Sequence, residues 1–353
     1  MKKLIITLTI ALLAVLPSFA QASFDTQKMD SLMQLLEAND KMMGSVAIMK
    51  DGQPIYSKTI GYKQMEGKQK ANISTKYRIG SVTKMFTATM IFQLIDEHKL
   101  SLTTPLSKYF PSIPNANTIT IEHLLNHHSG LFNFTDSAAT DFFKSPKTTQ
   151  QMIALFTRQK PLYQPGESSS YSNTNYVLLG YIIEKVTGKN YSYNLKNRIT
   201  QKLRLKNTEV GKKINTKKNE AYSYDFDGVK WIKDAETEMS TPGGAGAIVS
   251  TANDLTKFIN SLFTGALVSD SSLAQMKTIK DGYGMGLFQV PFYDLKGYAH
   301  NGSIDGFSSS LCYFPEGKLS VAFLSNGLAY QMNDIMIGIL SICYNKKYEL
   351  PTF

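Results

Sequence analysis

Ser81-Val82-Thr83-Lys84 is the only Ser-x-x-Lys in the chain. Residues three apart share one face of a helix, so this spacing sets an amine beside a hydroxyl. From Val82 to Ile95 the sequence carries no charge other than Lys84. A helix that is hydrophobic all round belongs in a protein core. Burial disfavours an ammonium ion, lowers the lysine pKa and leaves an amine able to take the serine proton. The competing reading is a structural lysine whose stem lies in the core while its head snorkels to the surface. Two further patterns follow in order: Tyr171-Ser172-Asn173, the only Tyr-x-Asn, and His300-Asn301-Gly302 in a Gly-rich, strand-like stretch. Alone, Tyr171 reads as a packed tyrosine and Asn173 as a helix N-cap. Taken with Ser81 and Lys84, they read as parts of one acyl-transfer site.

With these motifs in this order, the sequence resembles the serine β-lactamase and penicillin-binding-protein superfamily, in its class C β-lactamase-related branch of D,D-peptidases and esterases. Supporting stretches are Leu124-Leu125-Asn126-His127-His128-Ser129-Gly130-Leu131, the run from Pro165-Gly166 through Tyr181, and Gly244 to Thr251. The resemblance extends from about the first hairpin to the C-terminus. It implies an α+β fold, an antiparallel sheet flanked by helices with an inserted all-helical lobe, and a site in the cleft between them. It also implies that Ser81 is the nucleophile and that Lys84 and Tyr171 share proton traffic, the identity of the base staying open between them. Asn173 would orient Lys84 and bind the substrate amide. The oxyanion would be held by the backbone N–H groups of Ser81 and Ser303, with His300, Asn301, Gly302 and Ser303 forming the substrate-binding strand. Gly302 lets a substrate approach the strand edge closely.

His300 departs from the pattern of dedicated class C β-lactamases, which usually carry Lys there. A histidine of ordinary pKa ~6.5 is mostly neutral at neutral pH and attracts a carboxylate less than an ammonium does. The expected activity is that of an exported serine hydrolase acting through an acyl-enzyme on D-amino-acid peptides, in the manner of a D,D-carboxypeptidase, or on small esters. A class C-like β-lactamase and a non-catalytic penicillin-recognition module are the alternatives. No cofactor and no metal is expected. His123 and His127 are four apart, as in zinc-binding helices, but Leu124 follows His123 where the zinc-protease motif needs Glu. His127 reads instead as a residue shaping the Ser129-Gly130 turn. The chain also lacks the Gly-x-Ser-x-Gly elbow of α/β-hydrolases.

The 353 residues exceed the usual single-core size. The first 22 read as a secretory signal peptide: Lys2-Lys3, an apolar run from Leu4 to Leu16, Pro17 and then Ala20-Gln21-Ala22. Cleavage after Ala22 would leave residues 23–353 as one hydrolase domain, with a helical insertion at roughly 105–240, no stable membrane span, and a periplasmic or secreted location. The formal net charge is +10, of which Lys2 and Lys3 supply two. The basic residues are scattered apart from Lys202 to Lys218, which reads as a solvated face; no nucleic-acid motif accompanies it. The partner expected is a small-molecule or peptide substrate, not nucleic acid. Cys312 and Cys343 read as free thiols.

Apolar spacing predicts a helix over Gln27 to Ala38. Asp51-Gly52 predicts a hairpin between Ser45–Met49 and Pro54–Gly61, and a helix over Asn175–Val186 is closed by Gly188. Strands are predicted at Met285–Val290, Gly297–His300, Ser308–Phe314 and Leu319–Leu324, followed by a helix over Met332–Cys343. Strands near both ends of the chain with helices between them argue α+β rather than a parallel alternating fold.

Overall fold

The computed structural model describes residues 24–136 and 140–353; residues 1–22, read from the sequence as a signal peptide, lie outside them. The main helices are α1 (Thr26–Ala38), α2 (Thr83–Asp96), α3 (Asn173–Thr187), α4 (Ala252–Phe263) and α5 (Met332–Cys343). The long strands are β1 (Met42–Lys50), β2 (Gln53–Ile60), β3 (Phe288–Phe292), β4 (Leu295–Ile304), β5 (Phe307–Phe314) and β6 (Leu319–Leu328). They form one antiparallel sheet in the order β3-β4-β5-β6-β1-β2, so the N-terminal hairpin completes a sheet begun by the C-terminal strands. No described helix is long and apolar enough to cross a membrane.

Both faces of this sheet are covered, which is why β1 and β6 are buried at nearly every position rather than at every second one. Successive strand side chains point to opposite faces. Val46, Ile48, Val321 and Phe323 face Met29, Leu32, Met33 and Leu36 of α1 and Ile335 and Ile339 of α5. Ala47, Ala322 and Leu324 face the other way, into the larger core with Phe258, Ile259 and Leu262 of α4.

α2 lies within that larger core, and every residue from Thr83 to Leu94 is buried. Phe86 stacks on Phe258 with ring centroids 3.7 Å apart. Two features press on α2 from the cleft side. The short helix Gly243–Gly246 reaches it because Gly244 packs on Gly180 of α3, where a Cβ would stand 2.6 Å from the Tyr176 carbonyl oxygen. Gly286, at φ 85°, lies against Ala88, with no room for a side chain between them.

That glycine explains a difference from the sequence reading. The strand predicted from Met285 starts only at Phe288, because Gly284 N–H donates to the Leu287 carbonyl at 2.9 Å and closes a turn. Met285 and Leu287 are buried by the turn instead. The neighbouring strand runs beyond the predicted Gly297–His300 in both directions, carrying the whole His300–Ser303 motif inside β4. α3 begins at Asn173 rather than Asn175. Within the segment 105–240, the described α-helices end at Leu203, with one 3-10 turn beyond them at Thr216–Lys218. The remainder returns to short strands: Glu209–Val210, and the hairpin Tyr224–Phe226 with Trp231–Lys233, which adds to the main sheet beside β6.

Truncating the stacked ring should be costly because the cavity left behind cannot collapse between two packed elements. Phe86→Ala is expected to destabilise the protein by ~3–5 kcal/mol, measured by urea unfolding.

Candidate active site

Ser81 sits on a single 3-10 turn, Gly80–Val82, immediately before α2, and keeps partial exposure while Lys84, one turn on, is fully buried. Lys84 Nζ has three partners, all oxygen: Ser81 Oγ at 2.9 Å, Asn173 Oδ1 at 2.7 Å and the Ala245 carbonyl at 2.9 Å. Burial pushes its pKa well below the ordinary lysine value. The Asn173 amide and the Ala245 carbonyl present acceptors only. In the neutral amine the two N–H bonds therefore go to them, and the lone pair is left facing the Ser81 hydroxyl.

Tyr171 OH donates to Ser81 Oγ at 2.8 Å from the opposite side. Burial pushes this phenol up, so it holds its proton as a donor. Its ring lies 4.6 Å, centroid to centroid, from His127, which has φ 63° and is buried. His127 Nδ1 accepts from Ser172 N–H at 3.2 Å and from Asn175 Nδ2 at 3.3 Å, and burial lowers its pKa far below the ordinary value. It thus braces the Tyr-x-Asn segment as a neutral ring, a contact that neither the zinc reading nor the turn reading of the sequence foresaw. Asn173 is held at both ends. Its N–H donates to Asn133 Oδ1 at 2.9 Å, and its Nδ2 donates to Thr135 Oγ1 at 3.2 Å, which turns Oδ1 toward Lys84. Asn133 thereby replaces the missing side-chain cap of α3, since Ser172 makes none.

β4 forms the opposite wall. β3 pairs with it only as far as Ala299, so its edge from His300 to Ile304 is left without a strand partner on that side. Two glycines bring this strand to Ser81. A Cβ on Gly302 would fall on the Ile79 carbonyl oxygen, 2.5 Å from Ser309 Oγ and 2.9 Å from Ser81 N. Gly80, at φ 48°, faces Ser303, where a Cβ would stand 2.8 Å from Ser303 N. The backbone nitrogens of Ser81 and Ser303 are thus brought to the same end of the cleft.

His300 is buried against Phe288 and Tyr171, with centroids 5.1 and 6.3 Å away. Its Nδ1–H donates to the Asn301 carbonyl at 2.6 Å, so Nε2 is an acceptor. Burial, and then Lys84, lower its pKa to about 3. Asn301 itself is exposed. Beside Ser81 and Ser303 opens a cavity of about 290 Å³ walled by Phe134, Phe143, Pro242 and Ile304. Asp305 is the one ionisable side chain among its described lining residues.

The sequence matches the Beta-lactamase family over residues 30–337, and the chain belongs to that family of serine hydrolases. It is 27% identical to the D-amino acid amidase of Ochrobactrum anthropi SV3, whose structure superposes with a TM-score of 0.79 over 91% of this chain and 99% of that one. The octameric penicillin-binding protein homologue of Pyrococcus abyssi is 31% identical, with a TM-score of 0.79 over 92% of this chain and 78% of that one. Among curated relatives, the teichoic acid D-alanine hydrolase of Staphylococcus aureus (strain MRSA252) is 30% identical over 238 residues, which are 67% of this chain and 57% of that protein. The α+β fold and the hydrolase class anticipated from the sequence both hold.

Because no side chain fits between β4 and the Ile79 carbonyl, Gly302→Ala should part the two walls. Labelling by a fluorophosphonate probe, followed by intact-mass spectrometry, should slow by ~100-fold, the scale of losing one oxyanion donor.

Proposed function

We propose that the protein hydrolyses esters or amides of D-amino acids through an acyl-enzyme at Ser81. The observation carrying this is the Lys84 environment: a buried amine with two obligatory acceptors and one hydroxyl partner. Ser81 Oγ attacks the substrate carbonyl while its proton passes to Lys84 Nζ, which acts as the base. The oxyanion is received by the N–H groups of Ser81 and Ser303. Tyr171 keeps its proton until the carbonyl–heteroatom bond breaks, then donates toward the leaving alkoxide or amine and is resupplied from Lys84. A water replaces the leaving group, loses a proton along the same path and releases the acid.

The substrate class follows from what the cleft does not present. A carboxylate-bearing ligand, whether a β-lactam or a peptide ending in D-alanine, calls for a fixed cation. Lys84 is saturated by its three oxygens and His300 is neutral. The cavity's described lining carries no cation, and its one carboxylate, Asp305, is buried and paired with Arg78. A substrate without a free carboxylate suits this wall better, in line with relatives named D-amino acid amidase and teichoic acid D-alanine hydrolase. The Lys2-Lys3, Leu4–Leu16 and Ala20-Gln21-Ala22 pattern supports action outside the cytoplasm.

A fluorophosphonate should label the wild type on Ser81 and leave Ser81→Ala unlabelled; absence of label on the wild type, with D-alanyl ester and D-amino acid amide panels unturned, would defeat the proposal. Lys84→Ala should lower acylation ~10²–10⁴-fold, the usual share of a general base. The rate should fall as pH drops through a Lys84 pKa well below 10.5, because protonation removes the acceptor. It should hold on the alkaline side past the ordinary tyrosine range, because the Tyr171 pKa is raised. A pH–rate profile of kcat/KM reads both limbs.

His300→Lys should introduce the missing cation. Binding of carboxylate-terminated D-peptides should improve ~10-fold, the worth of one hydrogen bond to a charged group, while neutral esters change little. Competition kinetics with both substrate types distinguishes this from a general gain in affinity.

A further inference from the structure

We propose that the buried Arg78–Asp305 ion pair is a positioning device that sets the separation of the Ser81 and Ser303 N–H groups, and so acts on the transition state rather than on substrate binding. The proposal rests on the acyl-enzyme reading above.

Arg78 lies three residues before the nucleophile, in the short strand Tyr77–Arg78 that pairs with Ile248–Ser250. Its side chain is 1% exposed. Nη1 donates to Asp305 Oδ2 and to the Thr237 carbonyl, each at 2.7 Å. Nη2 donates to the Lys212 carbonyl at 3.0 Å and faces Glu236 Oε2 at 3.5 Å. Asp305 Oδ1 accepts from Thr237 N–H at 2.9 Å, so Arg78, Asp305 and both backbone groups of Thr237 close a ring. Asp305 stands two residues after Ser303, in the Asp305-Gly306 turn joining β4 to β5, at φ 50°.

The ring therefore ties the chain just before one N–H donor to the chain just after the other. Between its two ends lie the contacts of Gly80 with Ser303 and of Gly302 with Ser81. The glycines permit the approach, and the ion pair fixes how far it goes. Stability is a poor reason for such a pair, because removing two charges from water costs about as much as their attraction returns. Arg78 Nε is moreover buried without a partner, which adds to the cost. Two electrostatic anchors held at this cost, on either side of the donor pair, fit a geometric role. Neither side chain touches the reacting hydroxyl, so both are positioning residues.

The test uses the full chain with a D-alanyl ester, a matching boronic acid as tetrahedral mimic, and thermal unfolding as a check on folding. Asp305→Asn and Arg78→Lys should each lower kcat by ~100-fold, near the loss of one oxyanion donor, and weaken the boronate by a similar factor. KM should stay within about twofold. The double variant should lose little more than either single one, since both break the same ring. Asp305→Glu, which keeps the charge but lengthens the arm, should fold and still lower kcat. Unchanged kcat in a folded variant overturns the proposal. So does a fall in kcat that follows the folded fraction, or failure of all three single variants to fold, either of which assigns the pair to stability. Labelling of the wild type separates the two claims: no label at Ser81 defeats the acyl-enzyme reading itself, whereas label with unaltered variant kinetics defeats only the role of the pair.

Discussion

A lysine nitrogen enclosed on all sides, with oxygen as its every partner, is the constraint from which the rest of this structure follows. Charging an amine in such a place costs several kcal/mol of lost solvation unless a counter-charge is near, and no carboxylate among the described residues pairs with Lys84, whose partners are neutral oxygens. Burial therefore favours the neutral amine, the form that the proposed mechanism needs as its base. To hold it there, α2 must be buried along its length, which demands the near-continuous apolar run from Val82 to Leu94. The Ala245 carbonyl must come within reach, which demands glycine at Gly244 and leaves little room for a side chain at Gly180. The Asn173 amide must face inward, which demands a loop at Asn133 and Thr135 to hold it. Three separate stretches of packing thus converge on one lone pair.

The second wall obeys a different kind of demand. Transition-state stabilisation by backbone N–H groups needs no side chain, but it needs two stretches of chain closer together than Cβ atoms permit. Gly80 and Gly302 meet that demand by having none. The free edge of β4 beyond Ala299 then presents hydrogen-bonding groups to the cleft instead of to a neighbouring strand. An edge left open is ordinarily a hazard for aggregation; here Ser303 and Ile304 of that edge line the cavity beside Ser81.

Much of this is legible in the amino-acid sequence. The hydroxyl, the amine, the phenol and the amide were marked by spacing and by the apolar run around Lys84. Their meeting in a chain phenol–hydroxyl–amine–amide, each within 3 Å of the next, is what that pattern implies. The Asp51-Gly52 hairpin and α5 likewise follow from turn chemistry and period. What escaped has physical reasons. The third partner of Lys84 is a backbone carbonyl 161 residues away, and backbone atoms leave no signature in composition. His127 shows a zinc-like spacing to His123, yet its φ of 63° takes it off the helix and against Tyr171. Arg78 and Asp305 are 227 residues apart, and nothing local to either says that the other neutralises it. The start of β3 was misplaced because Met285 and Leu287 alternate like strand residues, while the glycines flanking Met285 turn the chain there.

Lys84, Arg78 and His300, the basic side chains buried around the cleft, share one property: none offers a charge to a substrate. Lys84 has its hydrogens committed to oxygens of the protein. Arg78 is spent on Asp305 and on two carbonyls and is shut away from solvent. His300 gives its Nδ1–H to a backbone oxygen and turns an acceptor outward. A net charge of +10 on the chain is therefore no guide to the potential inside its cleft. Salt screens the surface lysines over about 10 Å or less, whereas the groups that line the site act at contact distance in a medium of lower dielectric. Selectivity in this fold is then decided by where a handful of hydrogens point, and exchanging one ring for one ammonium on β4 is a larger electrostatic change than adding several lysines outside.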